Sequence, residues 1–183
     1  NQIALNLASM TFMVAMGLSV AAMIRVGNQK GLKDYVNLKR IAESIFLVGT
    51  IFAIVFALFF VVFHEFLPKL YVDLDDPINA VDTAEVVKIA ATLLLAAAVF
   101  QITDSLQVIV LGALRGLQDV KVPTIITFIA YWVIGFPISY FLGKEEAYGS
   151  LGIWIGLLAG LSSAAVLLFI RFHVLTKKLI VKS

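Results

Sequence analysis

Cysteine is absent, charge is scarce and histidine occurs only at His64 and His173. The missing thiols exclude disulfides, thiolate metal centres and cysteine nucleophiles, and say nothing about compartment. With 14% charged residues against 61% hydrophobic ones, a soluble domain of this size would lack the polar surface it needs. The medium implied is lipid. The formal net charge of +2 gives no basic patch and no sign of a nucleic-acid partner.

Long apolar runs occupy most of the chain. A helix crossing the roughly 30 Å hydrocarbon layer needs about 20 mostly apolar residues, and five segments provide them: about Ile3–Ile24, Ile41–Phe63, Val86–Leu114, Val122–Leu142 and Leu151–Phe172. A membrane β-barrel needs strands of about 10 residues with in–out alternation, whereas Thr50–Phe63 is apolar on every face. The predicted fold is all-α, a polytopic bundle of five transmembrane helices.

Basic residues mark cytoplasmic ends. Arg25, Lys30, Lys33, Lys39 and Arg40 follow the first run, Arg115 and Lys121 the third, and Arg171, Lys177, Lys178 and Lys182 the fifth. The intervening connections are acidic: Glu65, Asp73, Asp75, Asp76, Asp82 and Glu85 in one, Glu145 and Glu146 in the other. This pattern predicts an outside start and a cytoplasmic C-terminus. The sequence opens at Asn1, next to an apolar run and without an initiator Met or signal peptide, so it reads as part of a longer chain with at least one helix upstream.

Local signals have structural readings. Asp82 and Glu85 have the spacing of a capping box ahead of the third run, and Asp73, Asp75 and Asp76 lack the ligand series of a calcium loop and read as a solvated loop. Pro123 suits a first helical turn. Pro137, after Gly135, predicts a bend inside the fourth span. Gly152, Gly156 and Gly160 form a small-xxx-small face for close helix packing. Gly27-Asn28-Gln29-Lys30-Gly31 follows no predicted strand, so a phosphate-cradling loop is discarded. Trp132, Trp154, Tyr140 and Tyr148 define no site alone, although Tyr140 and Tyr148 suit the membrane interface.

One carboxylate interrupts the third run near its centre. An Asp at mid-bilayer costs roughly 3 kcal/mol even on the lenient insertion scale, so Asp104 marks function. Helical spacing puts Phe100, Thr103, Gln107 and Leu111 on or beside its face, with Gln101 and Ser105 on the flanks. Gln2, Asn6 and Ser9 form a second polar stripe on the first run, which would give inward-facing amides and a hydroxyl if the two helices are neighbours. His64 and His173 fall at opposite membrane faces and cannot join Asp104 in a metal or catalytic set. No enzyme is expected. A desolvated carboxylate that binds a proton or cation and couples that event to helix movement points to transport.

Several stretches carry a family pattern: Asn1-Gln2-Ile3-Ala4-Leu5-Asn6, Phe12-Met13, Ile24-Arg25-Val26-Gly27, Phe100-Gln101-Ile102-Thr103-Asp104-Ser105-Leu106-Gln107, Gly112-Ala113-Leu114-Arg115-Gly116 with Asp119, and Tyr131-Trp132-Val133-Ile134-Gly135-Phe136-Pro137 running to Leu142-Gly143. In these the chain resembles the C-terminal lobe of multidrug and toxic compound extrusion (MATE) transporters, in the NorM-like branch. The resemblance covers essentially residues 1–183 and implies helices eight to twelve of a two-lobe, twelve-helix transporter, its N-terminal lobe and preceding helix lying outside this sequence. It implies an inner-membrane antiporter, without cofactor, that expels amphipathic, often cationic organic compounds in exchange for Na⁺ or H⁺. Asp104 then looks like the acid of the coupling-ion site, whose second acid belongs to the preceding helix. Phe100 stands where some sodium-coupled relatives have Tyr, and supplies no oxygen. Phe100, Thr103, Gln107, Asn6 and Tyr131 would line or support the cavity, and Gly135 and Pro137 would provide a bend. A lipid-linked oligosaccharide flippase of the wider superfamily would need intramembrane cations for phosphate, and the spans have essentially none. A non-transporting scaffold would leave Asp104 without a role.

Overall fold

A computed structural model describes residues 2–67, 80–144 and 149–182. Among them the architecture is entirely helical: α1 (Gln2–Gly31), α2 (Tyr35–Phe63), α3 (Ala80–Gly116), α4 (Lys121–Ile129), a π-helical turn (Ala130–Gly135), α5 (Phe136–Leu142) and α6 (Gly149–Lys182). Counting α4, the π turn and α5 as one, five helices are long and apolar enough to cross a membrane, and the protein is a multi-pass membrane protein. The acidic cluster Asp73, Asp75 and Asp76, together with Glu145, Glu146 and Tyr148, lies outside the described residues.

Helix α3 is the hub, packed against α1, α2 and α6. Helix α6 carries the fourth span on its other flank. The main core lies toward the basic end, where Ala22, Val26, Leu38, Phe46, Ile109, Val110, Leu114, Leu168 and Phe172 are buried together. Phe46 meets Phe172 edge-on, with centroids 5.2 Å apart. A second core toward the other end joins Ala57, Phe60, Leu93, Leu94, Ala97 and Trp154. Outward faces stay apolar, as a lipid-facing surface requires: Leu58, Val62, Phe128, Trp132 and Phe136 are all well exposed.

Small residues set the helix spacing. On α1 the buried face is Thr11, Ala15, Ser19, Ala22 and Val26, and it lies against two glycines of α3. A Cβ on Gly112 would run into the Ser19 backbone, and one on Gly116 would stand 3.1 Å from Gly27 N. The predicted glycine face of α6 is also used. Gly152 abuts the Leu142 carbonyl, Gly156 abuts Ser139, and a Cβ on Gly160 would stand 3.2 Å from Gly135 Cα. The fourth span therefore rides on α6 at backbone contact.

Three expectations need correction. The first span does not stop near Ile24, because α1 runs on through Gly31. Gly27 is helical there and faces the Gly116 carbonyl. Asp82 and Glu85 do not precede a helix, since α3 begins at Ala80. They fall in its first two turns. The bend in the fourth span is not a simple kink at Pro137. The chain widens into a π turn over Ala130–Gly135, closed by the Phe136 N–H donating to the Tyr131 carbonyl, and Pro137 opens α5 just beyond it. Proline has no N–H to give and its ring crowds the preceding turn. A widened turn carries the backbone past that ring while keeping Gly135 against α6.

The ends of α1 and α3 share the pattern Gly-x-x-(Lys/Arg)-Gly-Leu-x-Asp, as Gly27–Asp34 and Gly112–Asp119. Both close with the same hydrogen bonds. Asp34 N–H donates to the Gln29 carbonyl and Lys33 N–H to Lys30, while Asp119 N–H donates to Leu114 and Gln118 N–H to Arg115. Lys33 and Gln118 each adopt φ 60°, the left-handed residue of a Schellman-type stop.

Candidate functional site

The seam between α1 and α3 fixes how α3 is rotated. Thr11 Oγ1 donates to Gln101 Oε1 at 2.8 Å, and Ser19 Oγ donates to the Val108 carbonyl at 2.8 Å. The two helices thus run parallel, with 101 and 108 turned toward α1. Gln101 Nε2 also reaches the Ala53 carbonyl of α2 at 3.5 Å, so this buried amide joins three helices.

Asp104 lies beside that seam. Phe100, Asp104, Gln107 and Leu111 share a face, and the aromatic groups flanking it come from α6 and the fourth span. Phe100 meets the Trp154 ring edge-on at 5.4 Å between centroids, and Trp154 is itself buried. One turn from Asp104 on the other side, Gln107 Oε1 accepts from the Tyr131 hydroxyl at 2.7 Å. Asp104 is half-buried, and among the described residues no hydrogen bond or ion pair reaches its carboxylate.

The structure brings together four of the residues the sequence singles out, Asp104, Phe100, Gln107 and Tyr131, and leaves two aside. Thr103 donates to the Phe100 carbonyl of its own helix at 2.9 Å and lines an apolar groove between α3 and α6 with Leu106, Ser162 and Val166. One residue along a helix is a turn of about 100°, which carries Thr103 away from the Asp104 face. Asn6 is exposed, and its carbonyl accepts from Ser9 Oγ at 2.7 Å. The seam register puts Asp104 level with about residue 14 of α1, so Asn6 is roughly 12 Å along the helix at 1.5 Å per residue. The helices are neighbours, as required, but the pairing is displaced by two turns. Gly135 and Pro137 stand at the end of the π turn and just after it, and Tyr131 is the turn's second residue. The turn and the site therefore share a residue.

Sequence reasoning missed Thr11, Ser19 and Trp154. The signal for the first two is the small-residue stripe 11, 15, 19, 22 at helical spacing. Trp154 sits two residues after Gly152 on a helix whose glycine face was legible, but its contact with Phe100 depends on tertiary register.

Ligand chemistry at this face is limited to oxygen. Asp104 offers two carboxylate oxygens, Gln107 Oε1 retains a lone pair, and the Tyr131 hydroxyl lies beside it. This donor set fits a proton or a hard monovalent cation. No group of three or more His, Asp or Glu side chains able to hold a metal ion occurs among the described residues.

The family profile MatE matches residues 1–141. The chain belongs to the MatE family. Among MatE relatives it is 39% identical over 176 residues to the probable multidrug resistance protein NorM of Agrobacterium fabrum, covering 96% of this chain and 37% of that protein. It is 42% identical over 180 residues to the multidrug resistance protein NorM of Burkholderia vietnamiensis, covering 98% and 38%. To the multidrug resistance protein MdtK of Yersinia enterocolitica it is 43% identical over 182 residues, covering 97% and 38%. This chain thus spans well under half the length of the MatE proteins it matches.

Proposed function

We propose that this chain forms helices eight to twelve, part of the C-terminal lobe, of an inner-membrane antiporter that expels amphipathic, often cationic organic compounds in exchange for Na⁺ or H⁺. The single observation that carries the reading is Asp104, a carboxylate in the middle of a membrane helix with no ion pair or hydrogen bond among the described residues, set beside a tyrosine–glutamine pair that bridges to another span. The names of the relatives, multidrug resistance proteins, support organic compounds as cargo. The basic ends of α1, α3 and α6 support a cytoplasmic C-terminus.

In this scheme the coupling ion enters from outside and neutralises Asp104, removing the cost of holding a charge in a water-poor site. The neutral form favours one arrangement of the helices and the charged form another, so each ion shifts the balance between two conformations. The hydrogen bond between Gln107 and Tyr131 ties α3 to the π turn, where the fourth span departs from α-helical winding. Movement of Asp104 and rearrangement of that span are then linked. Cargo meets the aromatic rim of Phe100 and Tyr131, where a ring face attracts an organic cation.

The test is ethidium efflux from drug-sensitive cells expressing the natural full-length protein or its Asp104→Asn form at equal membrane abundance. Efflux should fall at least tenfold in the variant. Undiminished efflux would remove Asp104 from the transport cycle. Liposomes with imposed Na⁺ or H⁺ gradients then identify the coupling ion.

A further inference from the structure

The basic end of the bundle contains a cavity that the transport reading does not use. It has a volume of about 310 Å³ and is lined by Lys30, Leu117, Gln118, Asp119, Arg171, Leu175, Lys178 and Leu179. Three cations and one carboxylate face it. Arg171 spends Nε on Asp119 Oδ2, at 2.8 Å, and neither of its Nη nitrogens has a protein partner among the described residues. Lys30 Nζ donates to the Leu117 carbonyl at 2.8 Å and to Gln118 Oε1 at 2.9 Å, leaving one of its three hydrogens. Lys178 Nζ makes no ion pair among the described residues. Donors therefore converge on the cavity in excess of the acceptors present, and the surplus charge is positive.

We propose that this cavity binds the phosphodiester headgroup of an anionic phospholipid. A planar guanidinium with its two Nη groups free matches two oxygens of one phosphate, and two flexible ammonium groups supply the remaining charge. Leucines 117, 175 and 179 give the same cavity an apolar wall, which suits the glycerol and first methylenes of a lipid and gives a free phosphate ion nothing. The site also lies at the right depth. Leu175 and Lys178 lie in the last turns of the fifth candidate span, at the end where the basic residues of α1, α3 and α6 gather, and basic pockets between helices near the membrane surface take lipid phosphates. The inference rests on the membrane reading of the helices but not on what is transported.

Bound lipid would hold the end of α1 through Lys30 and α6 through Arg171 and Lys178, with the α3–α4 connection joined indirectly through the Lys30 bond to Gln118 and the Arg171 ion pair with Asp119. The experiment is native mass spectrometry of the natural full-length protein, delipidated in detergent and then given equal amounts of phosphatidylglycerol and phosphatidylcholine. Wild type should retain phosphatidylglycerol at least fivefold over phosphatidylcholine, and Lys178→Gln should abolish most of that preference. Lys177→Gln makes the same change of charge one residue away, at an exposed position outside the cavity wall, and should leave the preference intact. Equal retention of both lipids by wild type, or equal loss in the two variants, would overturn the site in favour of general surface attraction. Displacement of the lipid by inorganic phosphate at matched concentration would overturn the lipid in favour of a free anion. The ethidium assay of Asp104→Asn is independent, so either proposal can fail alone.

Discussion

The ends of α1 and α3 repeat one eight-residue pattern with one backbone conformation, yet their side chains do different things. Asp34 caps the next helix, accepting from the Asn37 N–H at 3.1 Å and from Asn37 Nδ2 at 2.6 Å. Its counterpart Asp119 reaches across the bundle to Arg171. Gly31 faces open space, whereas its counterpart Gly116 lies against the Met23 carbonyl and Val26 of α1. The stop itself is local chemistry, set by which carbonyls remain free at a helix end. What the glycine and the aspartate do beyond that is decided by neighbours, and α3 has neighbours on three sides while the end of α1 has fewer.

The largest expected break in this comparison is at the glycines. Gly116→Ala would force α1 and α3 apart and should cost about 2 kcal/mol or more, in the range of overpacked cores. Gly31→Ala should be neutral or stabilise by up to about 1 kcal/mol through helix propensity. Thermal unfolding of the two variants in the same detergent checks the pair, and equal midpoints would mean that the two ends are packed alike.

Smaller effects follow at the aspartates, and asparagine distinguishes them. Asp34→Ala should lose about 1 kcal/mol, which Asp34→Asn restores because Asn caps equally well. Asp119→Ala should lose about 1–2 kcal/mol, and Asp119→Asn should recover little of it, since the partner is a half-buried guanidinium whose charge stays unpaired. Rescue by Asn at both positions would show that Arg171 contributes nothing. The smallest changes belong to the residues at φ 60°. Lys33→Gly should gain up to about 1 kcal/mol by relieving a left-handed conformation. Gln118→Gly should gain less, because it also removes the Oε1 that holds Lys30.

Much of the fold was legible because the membrane imposes a coarse rule. Runs longer than the bilayer is thick must be helices, and the glycines at 152, 156 and 160 had to mark a contact. Asp104 stood out for the same reason, a cost that the surrounding medium makes visible. Register was not legible. Whether Asn6 or Thr11 meets α3, and whether Trp154 meets Phe100, depends on the rotation and shift of one helix against another that no single run encodes. Gly27 lies beyond the end read for the first run, and only the packing shows that it meets Gly116. The two matching helix ends were visible as letters from the start, and only their matching hydrogen bonds give the repeat a meaning.

The π turn makes one stretch of the membrane region tolerant of a change in chain length. Every other span is held in register by contacts spaced at the α-helical repeat, so a one-residue deletion there would rotate all that follows by about 100° into the wrong environment. Residues Ala130–Gly135 already hold surplus backbone in a wide ring. Deleting one of them would let the segment close into an ordinary α-helix with its hydrogen bonds made, and the disturbance would fall on how Ser139 and Leu142 meet the glycines of α6. Length variants of this protein that still fold should therefore cluster at this turn.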